Sequence, residues 1–402
     1  MNRVVITGIG VVTPIGSTRE KFWSSLIEAR SGIGPITIVP TERLNTRIAA
    51  QVLDFNPADH FEPKRQGLLD RFSQFAVVAA RAAVQDAQLQ ITDEIALQAA
   101  TIVGNSTGGM NTLDDSFYRL YGENGIRPHP LTIPRLMSNA ACSLISMDLG
   151  LKGPTFTVAS ACASGTHAVG QAFQMVRTGL APIALTGGSE ACLTVGTIKA
   201  WEALRVLSPD TCRPFSKTRS GLVLGEGAAM FVLETREHAI ARGAPMYAEL
   251  LGFGMSADAA DITAIDPDGA ARAMRAALTD AKVNPADVDY VNAHGTGTLL
   301  NDKGETVALR QAFGDAADHL AVSSSKAVLG HSLGAAGAVE LAATALALHN
   351  QIIPPTANFE EADPECDLDY VPNTARNAPI KNAMSSSFAF GGLNAVLVLG
   401  RA

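Results

Sequence analysis

Ten apolar segments, each ending at or near a glycine or small-residue corner, run through this chain in two series of five. The first comprises RVVITGIG (3–10), ATIVGNSTGG (100–109), TFTVASACASG (155–165), IALTGGSEA (183–191) and GAAMFVLE (227–234). The second comprises AELLGFGMS (248–256), VDYVNAHGTGT (288–298), LAVSSSKAVLG (320–330), NAMSSSFAFGG (382–392) and NAVLVLG (394–400). The third member of each series runs into a helix of small residues, GTHAVGQAFQMV and GAAGAVELAATALAL. Five against five in matching order predicts an internal duplication. Strands that alternate with helices predict an α/β fold, and unbroken apolar strands predict sheets covered on both faces. The halves divide as 1–245 and 246–402, with no flexible linker between them. Residues 20–95, 110–150 and 195–220 read as longer, more polar, helix-like insertions of the first half, suited to a lid or a subunit contact.

The corner of TFTVASACASG carries the first candidate for chemistry. Ser160 to Gly165 are all small, and the following helix has Val169, Phe173 and Val176 on one face before Gly179 closes it. Cys162 therefore sits where unpaired N–H groups and the positive end of a helix dipole favour a thiolate, so a lowered pKa and nucleophilic reactivity are expected. A buried structural thiol is the commoner fate of a cysteine. The small neighbours here leave room for a substrate to reach the sulfur.

Composition closes off other classes. Net charge is −8 and no basic, aromatic-interleaved patch occurs, which speaks against nucleic acid. Only 17% of residues are charged, against roughly a quarter in ordinary soluble chains, so a large core and some covered surface are expected. The five cysteines show no C-x-x-C spacing and point to a reducing, cytoplasmic setting without disulfides, a metal site or a cofactor. The stretch 333–348 contains Glu340 and is too short to span a bilayer.

Two histidines share the setting of the cysteine. His294 follows a strand in NAHGTGT, and His331 follows one in SSKAVLGH, just before a helix. Ligands of open α/β sheets gather at such strand ends. His167, five residues after Cys162, is turned about 140° away on a helix and reads as a helix-face residue. Gly8-Ile9-Gly10 lacks the third glycine of a dinucleotide fingerprint. Gly330 to Gly334 spell the serine-hydrolase elbow, but no strand runs into Ser332 and no acid-then-histidine pair follows it.

These motifs together resemble those of the elongating β-ketoacyl-acyl-carrier-protein synthases, members of the thiolase-fold superfamily. The resemblance covers essentially the whole chain: ITGIGVVTPIG (6–16), ACASG (161–165), CRPFSKTRSGLVLGEGA (212–228), NAHGTGT with Asp302 and Glu305, SSKAVLGHSLGAAGAVE (324–340) and FAFGGLN (388–394). It implies a five-layered α/β/α/β/α fold with an internal two-fold axis and, usually, a homodimer, or a heterodimer with a related subunit. It further implies an acyl chain passed from a carrier protein to Cys162, then condensation with decarboxylated malonyl-carrier protein. On this resemblance His294 and His331 are the paired histidines, Lys326 supports them, and Glu340 on the helix behind orders the network. The N–H groups of Cys162 and Phe390 form the oxyanion hole, and Phe390 is the aromatic gate. Thr296, Thr298, Phe388 and Thr107 line the substrate path, Asp302 and Glu305 are structural, and Lys64, Arg65 and Arg205 form the docking patch for an acidic acyl carrier protein. No nucleic acid or membrane partner is implied.

The chain departs from the family at several points. Ala389 stands where glycine is usual and Leu393 where Thr or Val is usual, which predicts a stiffer gate. Gly67 and Leu68 replace basic residues. HGTGT in place of HGTST is similar to polyketide, polyene and Nod-factor synthases, so both primary elongation and specialised acyl assembly stay open. A degradative thiolase would need a second cysteine in a glycine-rich corner, and Cys366 lies in ADPECDLDY. A non-catalytic chain-length partner would lack Cys162.

Overall fold

The computed structural model describes the whole chain except Asn124 and Ile126. All ten apolar segments form strands: β1 (Val4–Val12), β2 (Ala100–Gly104), β3 (Thr155–Val158), β4 (Ile183–Glu190), β5 (Gly227–Thr235), β6 (Ala248–Ala257), β7 (Tyr290–Asn292), β8 (Ala321–Ser323), β9 (Asn382–Ala389) and β10 (Leu393–Gly400). They hydrogen-bond in the order β8-β7-β9-β10-β6-β1-β5-β4-β2-β3. From the centre outward, each half thus places its first, fifth, fourth, second and third strand. The duplication read from the sequence is therefore a duplication of topology. The halves join where β1 and β6 pair antiparallel, Val4 opposite Leu250 and Ile6 opposite Ala248.

Successive residues of a strand face opposite sides, and here both sides are covered. In β5, Ala229, Phe231 and Leu233 join the central core, while Ala228, Met230 and Val232 join an outer one. In β10, Ala395, Leu397 and Leu399 face the same central core, and Val396 and Val398 face a second outer one. The central core is built around two inner helices, α1 (Ser164–Thr178) and α2 (Ala336–Asn350). Outer helices at Arg71–Asp86 and Ala140–Leu149 cover the first half, and Pro267–Ala281 and Leu299–Phe313 cover the second. Helix, sheet, helix, sheet, helix is the five-layered α/β arrangement expected.

One expectation needs correction. The stretches 20–95 and 110–150 are not simply insertions, because their helices 71–86 and 140–149 are the outer layer. Helix 71–86 buries Phe72, Phe75, Ala76, Ala79, Ala80 and Ala83, and Asp70 caps it by accepting from the Phe72 N–H. Its counterpart in the second half is helix 267–281, which also follows the first strand of its series.

Glycine sets the approach of the two inner helices. A Cβ on Gly337 would lie 2.0 Å from Thr166 Oγ1, and one on Gly165 would lie 2.8 Å from the Ala338 nitrogen. α1 ends as expected at Gly179, with φ +80°, and Arg177 in its last turn bridges to Asp280 of the other half at 2.9 Å.

Candidate active site

Each inner helix is entered through one turn of 3₁₀ helix, Ala161–Ala163 and Leu333–Ala335. Ala161 has φ +49° and Leu333 has φ +47°, left-handed values that side chains other than glycine seldom adopt. Strain of this kind persists only where the surroundings impose it. In the first repeat it delivers Cys162 into a cavity. In the second the corresponding position is Gly334, whose Cβ would meet the buried Glu190 carboxylate at 2.6 Å.

The cavity has a volume of about 390 Å³, and its lining includes Cys162, His294, His331, Thr296, Thr298 and Phe388. His331 Nε2 is 3.1 Å from Cys162 Sγ. The His294 and His331 rings stand edge to face with centroids 5.4 Å apart, and Phe388 faces His294 at 6.0 Å. The Phe390 backbone N–H lies close enough to the Cys162 sulfur to favour its thiolate. Thr296 and Thr298, also in the lining, link hydroxyls at 2.9 Å.

Behind the histidines lies a buried charge network. Lys326 Nζ donates to the His294 carbonyl at 2.6 Å, stands 3.3 Å from His294 Nδ1, and is ion-paired with Glu340 Oε1. An ammonium donating to Nδ1 leaves the His294 proton on Nε2. Glu305 accepts from the N–H groups of His294 and Gly295, both at 2.7 Å, and Asp302 from those of Phe215 at 2.7 Å and Gly297 at 3.2 Å. These two carboxylates hold the HGTGT loop in shape, which fits the structural part given to them.

Burial dominates the proton affinities, because a charged form loses its hydration inside the protein. It holds both imidazoles well below the usual histidine value, with Lys326 pushing the same way, so both rings are neutral at pH 7. It pushes Glu305 and Glu340 up to about 7. The expected low-pKa thiolate is overturned by the same cause. Cys162 is 6% exposed, and burial pushes its thiol up to about 12 against the opposing pull of Lys326 and the Phe390 N–H. The resting pair is a thiol beside a neutral imidazole.

Other expected site residues are placed differently. Thr107 is exposed, lies outside the cavity lining, and donates to Glu190 at 2.7 Å. Arg205 lines the cavity mouth, but Lys64 and Arg65 do not. Arg65 pairs with the buried Asp148 at 2.5 Å, so its charge is already engaged, whereas Lys64 is exposed. His167 bonds Ser160 Oγ at 2.8 Å outside the cavity, as a helix-face residue would. Ser332 has no strand leading into it. Three residues were missed. Trp201 and Asp258 line the cavity, and Glu190 gathers Asn105, Ser106, Thr107 and the Gly334 N–H behind it. Only Glu190, a carboxylate closing an apolar strand, left a trace in the sequence.

A duplicated five-layered architecture, with a nucleophile at one inner-helix entry and two neutral imidazoles from the other repeat, defines a thiolase-fold enzyme of the acyl-condensing class. Comparison with known proteins narrows the class. The family model for the β-ketoacyl synthase N-terminal domain matches residues 1–239, and that for its C-terminal domain matches 247–360. The chain is similar to Nodulation protein E of Rhizobium sp. (strain N33), 45% identical over 98% of each chain. It is also similar to 3-oxoacyl-[acyl-carrier-protein] synthase 2 of Staphylococcus aureus (strain N315), 44% identical over 98% of this chain and 97% of that one. Among solved structures, the ishigamide ketosynthase/chain length factor superposes with a TM-score of 0.95 at 39% identity, over 100% of this chain and 99% of the other. The chain belongs to the β-ketoacyl synthase family.

Proposed function

We propose that this enzyme joins an acyl chain held as a thioester on Cys162 to the two-carbon unit of malonyl-acyl carrier protein, in fatty-acid chain elongation. The observation that carries the reading is the meeting of Cys162, His331 and His294 in one cavity, with sulfur and Nε2 3.1 Å apart. In the first step the Cys162 sulfur attacks the carbonyl of acyl-carrier protein. Its proton leaves through His331, and the carrier thiol departs. The N–H groups of Cys162 and Phe390 would stabilise the oxyanion of that step. In the second step malonyl-carrier protein loses CO2. The electron pair of the broken carbon–carbon bond becomes an enolate, held by the Nε2–H of His294 and by His331 in the tautomer that carries its hydrogen on Nε2 and leaves the unpartnered Nδ1 bare. The enolate carbon attacks acyl-Cys162 and expels the sulfur, which recovers a proton as thiol, giving 3-oxoacyl-carrier protein. Neutral imidazoles suit the task, because an imidazolium would protonate the carbanion.

The acidic carrier protein is expected to dock near Arg205 at the cavity mouth, with Lys64 as a secondary contact. We place the enzyme in the cytoplasm as a homodimer. Five buried, unpaired cysteines fit the former. No helix among the described residues is long and apolar enough to cross a membrane. A second reading, specialised acyl assembly, is favoured by the similarity to a nodulation protein at the same level of identity as to the staphylococcal synthase.

The test is the purified enzyme with malonyl-carrier protein and a panel of acyl-carrier proteins of graded length and unsaturation. Release of CO2 with formation of a 3-oxoacyl product is expected. The reading is refuted if no acyl-carrier protein in the panel yields acyl-Cys162 by intact mass. A panel in which only unusual chains are extended selects the second reading.

A further inference from the structure

Phe390 occupies the tip of a hairpin. Ala389 ends β9 in register with Leu393 at the start of β10, leaving Phe390-Gly391-Gly392 as the turn. Gly391 and Gly392 have φ +86° and +67°, values that only glycine takes freely. The turn is anchored through its backbone to residues 258–262, by the Asp258 N–H to Gly392 at 2.8 Å and the Gly391 N–H to Ile262 at 2.8 Å. The Phe390 side chain has one ring against it. Trp201 is stacked on it with centroids 5.6 Å apart and planes 24° apart.

The two partners are held very differently. Trp201 belongs to the helix Val195–Leu204, whose first turn is capped by Thr194. The next residue, Glu202, accepts the N–H groups of Asn45 and Thr46 at 2.6 and 2.7 Å. The helix that carries the indole is thus tied to the body of the protein, whereas the phenyl ring sits on a turn built from two left-handed glycines. Trp201 also packs on the apolar cluster that contains Cys162, Cys192, Leu193 and Ile198, and both rings line the cavity.

Resting on the proposed function, we infer that Trp201 is a positioning residue for acyl transfer: its fixed indole sets the resting orientation of the Phe390 ring beside Cys162, and an acyl chain arriving on the sulfur displaces that ring from the stack. The energy of the stack then opposes acylation, most for chains too short to repay it with apolar contacts. An aromatic pair of this kind shifts an equilibrium by about two- to tenfold.

The chain has two tryptophans, so Trp23→Phe leaves Trp201 as the sole indole reporter. Octanoyl-carrier protein free of tryptophan is mixed with this variant in a stopped-flow fluorimeter, and acyl-Cys162 is followed in parallel by quenched-flow mass analysis. Expected is a change in Trp201 emission with the rate constant of acylation, absent when Cys162→Ser is added. Acyl-Cys162 forming without an emission change overturns the inference and leaves the function standing. No acyl-Cys162 at all removes both. Independently, Trp201→Ala should change the ratio of short- to long-chain acyl transfer by about two- to tenfold, with Trp201→Phe restoring it. An equal fall at every chain length, or no rescue by Phe, marks a merely structural tryptophan and overturns the inference.

Discussion

Glu340→Gln separates the electrostatics of the site from its shape. In the wild type, Lys326 and Glu340 are each 2% exposed and pair directly. The amide keeps the volume of the carboxylate and removes its charge, leaving an ammonium group in the interior with neutral acceptors alone, the amide oxygen, the His294 carbonyl and Nδ1. Breaking a buried pair in this way costs about 3–5 kcal/mol. A ceiling follows from titration: Lys326 can shed its proton instead, and doing so at pH 7 from an unfolded value of about 10.4 costs about 1.4 kcal/mol per unit over roughly 3.4 units, or ~4.6 kcal/mol. The sign is distinctive. A lysine whose folded value is depressed destabilises the fold below its unfolded value, and the penalty shrinks as pH rises, by about 2.7 kcal/mol between pH 7 and 9. The wild-type Glu340 carboxyl, raised to about 7, lowers stability as pH climbs from about 4.5 to 7 and adds no slope above. Denaturation midpoints of both proteins, measured at equal concentration from pH 7 to 9, should therefore converge. A neutral amine also accepts a hydrogen bond from an Nδ1–H imidazole, which favours the His294 tautomer with its hydrogen off Nε2 and removes one enolate donor. Malonyl decarboxylation should fall about 100- to 1,000-fold at pH 7, while Cys162 is still acylated. A stability gap that stays constant with pH, or decarboxylation at the wild-type rate, refutes the reasoning.

Cys162→Gln should abolish condensation, read as 3-oxoacyl product, while CO2 release from malonyl-carrier protein survives, because the enolate donors are untouched. His294→Ala should slow that CO2 release by roughly 100- to 1,000-fold, the scale of losing one oxyanion donor. Burial holds both imidazoles well below 6.5, so they should add no inflection to the decarboxylation rate between pH 8 and 6.5; the groups that titrate in that window are Glu305 and Glu340, at about 7, and an inflection that survives replacement of both carboxylates by amides would show a charged histidine in the free enzyme. Gly337→Ala puts a methyl 2.0 Å from Thr166 Oγ1 and 2.7 Å from Ser387 Oγ, so a lowered melting temperature, equivalent to about 1–3 kcal/mol, is expected.

The sheet was legible because most of its strands, the edge strand Thr155–Val158 excepted, are buried on both faces and so read as unbroken apolar runs; all ten segments became strands in the order that a duplication requires. Cys162, His294, His331 and Lys326 were legible because each lies in a small-residue corner next to a strand or helix. Helix 71–86 was misjudged because a long irregular stretch precedes it, and its apolar face was diluted by Arg71, Arg81, Gln85 and Asp86. The state of Cys162 was misjudged because a helix start is visible in sequence, whereas burial depends on residues up to 228 positions away. Trp201 carried no signal, since its meaning is a contact with a ring 189 positions further on. Arg65 looked free until Asp148 was seen beside it.

The raised thiol and the lowered imidazoles are consequences of one cause, namely burial. A thiolate–imidazolium pair would speed acyl transfer but would leave His331 charged when the enolate forms against it, and the carbanion would be quenched. With the thiol at about 12 and His331 neutral, the proton moves only when a thioester carbonyl is in place to receive the sulfur and the backbone N–H groups can share the developing charge. Lys326 then has a double part. Its charge lowers the thiol's proton affinity and depresses both imidazoles, so a single buried cation favours the nucleophile without arming the histidines as acids. Such a cation is tolerable only because Glu340 sits on the inner helix of the second repeat, and the glycines at 165 and 337 bring that helix against the one that carries Cys162. The duplication is therefore what allows acyl transfer and decarboxylation to share one cavity: one repeat supplies the sulfur on a strained turn, and the other supplies the two histidines, kept neutral by burial and further by the Lys326 charge.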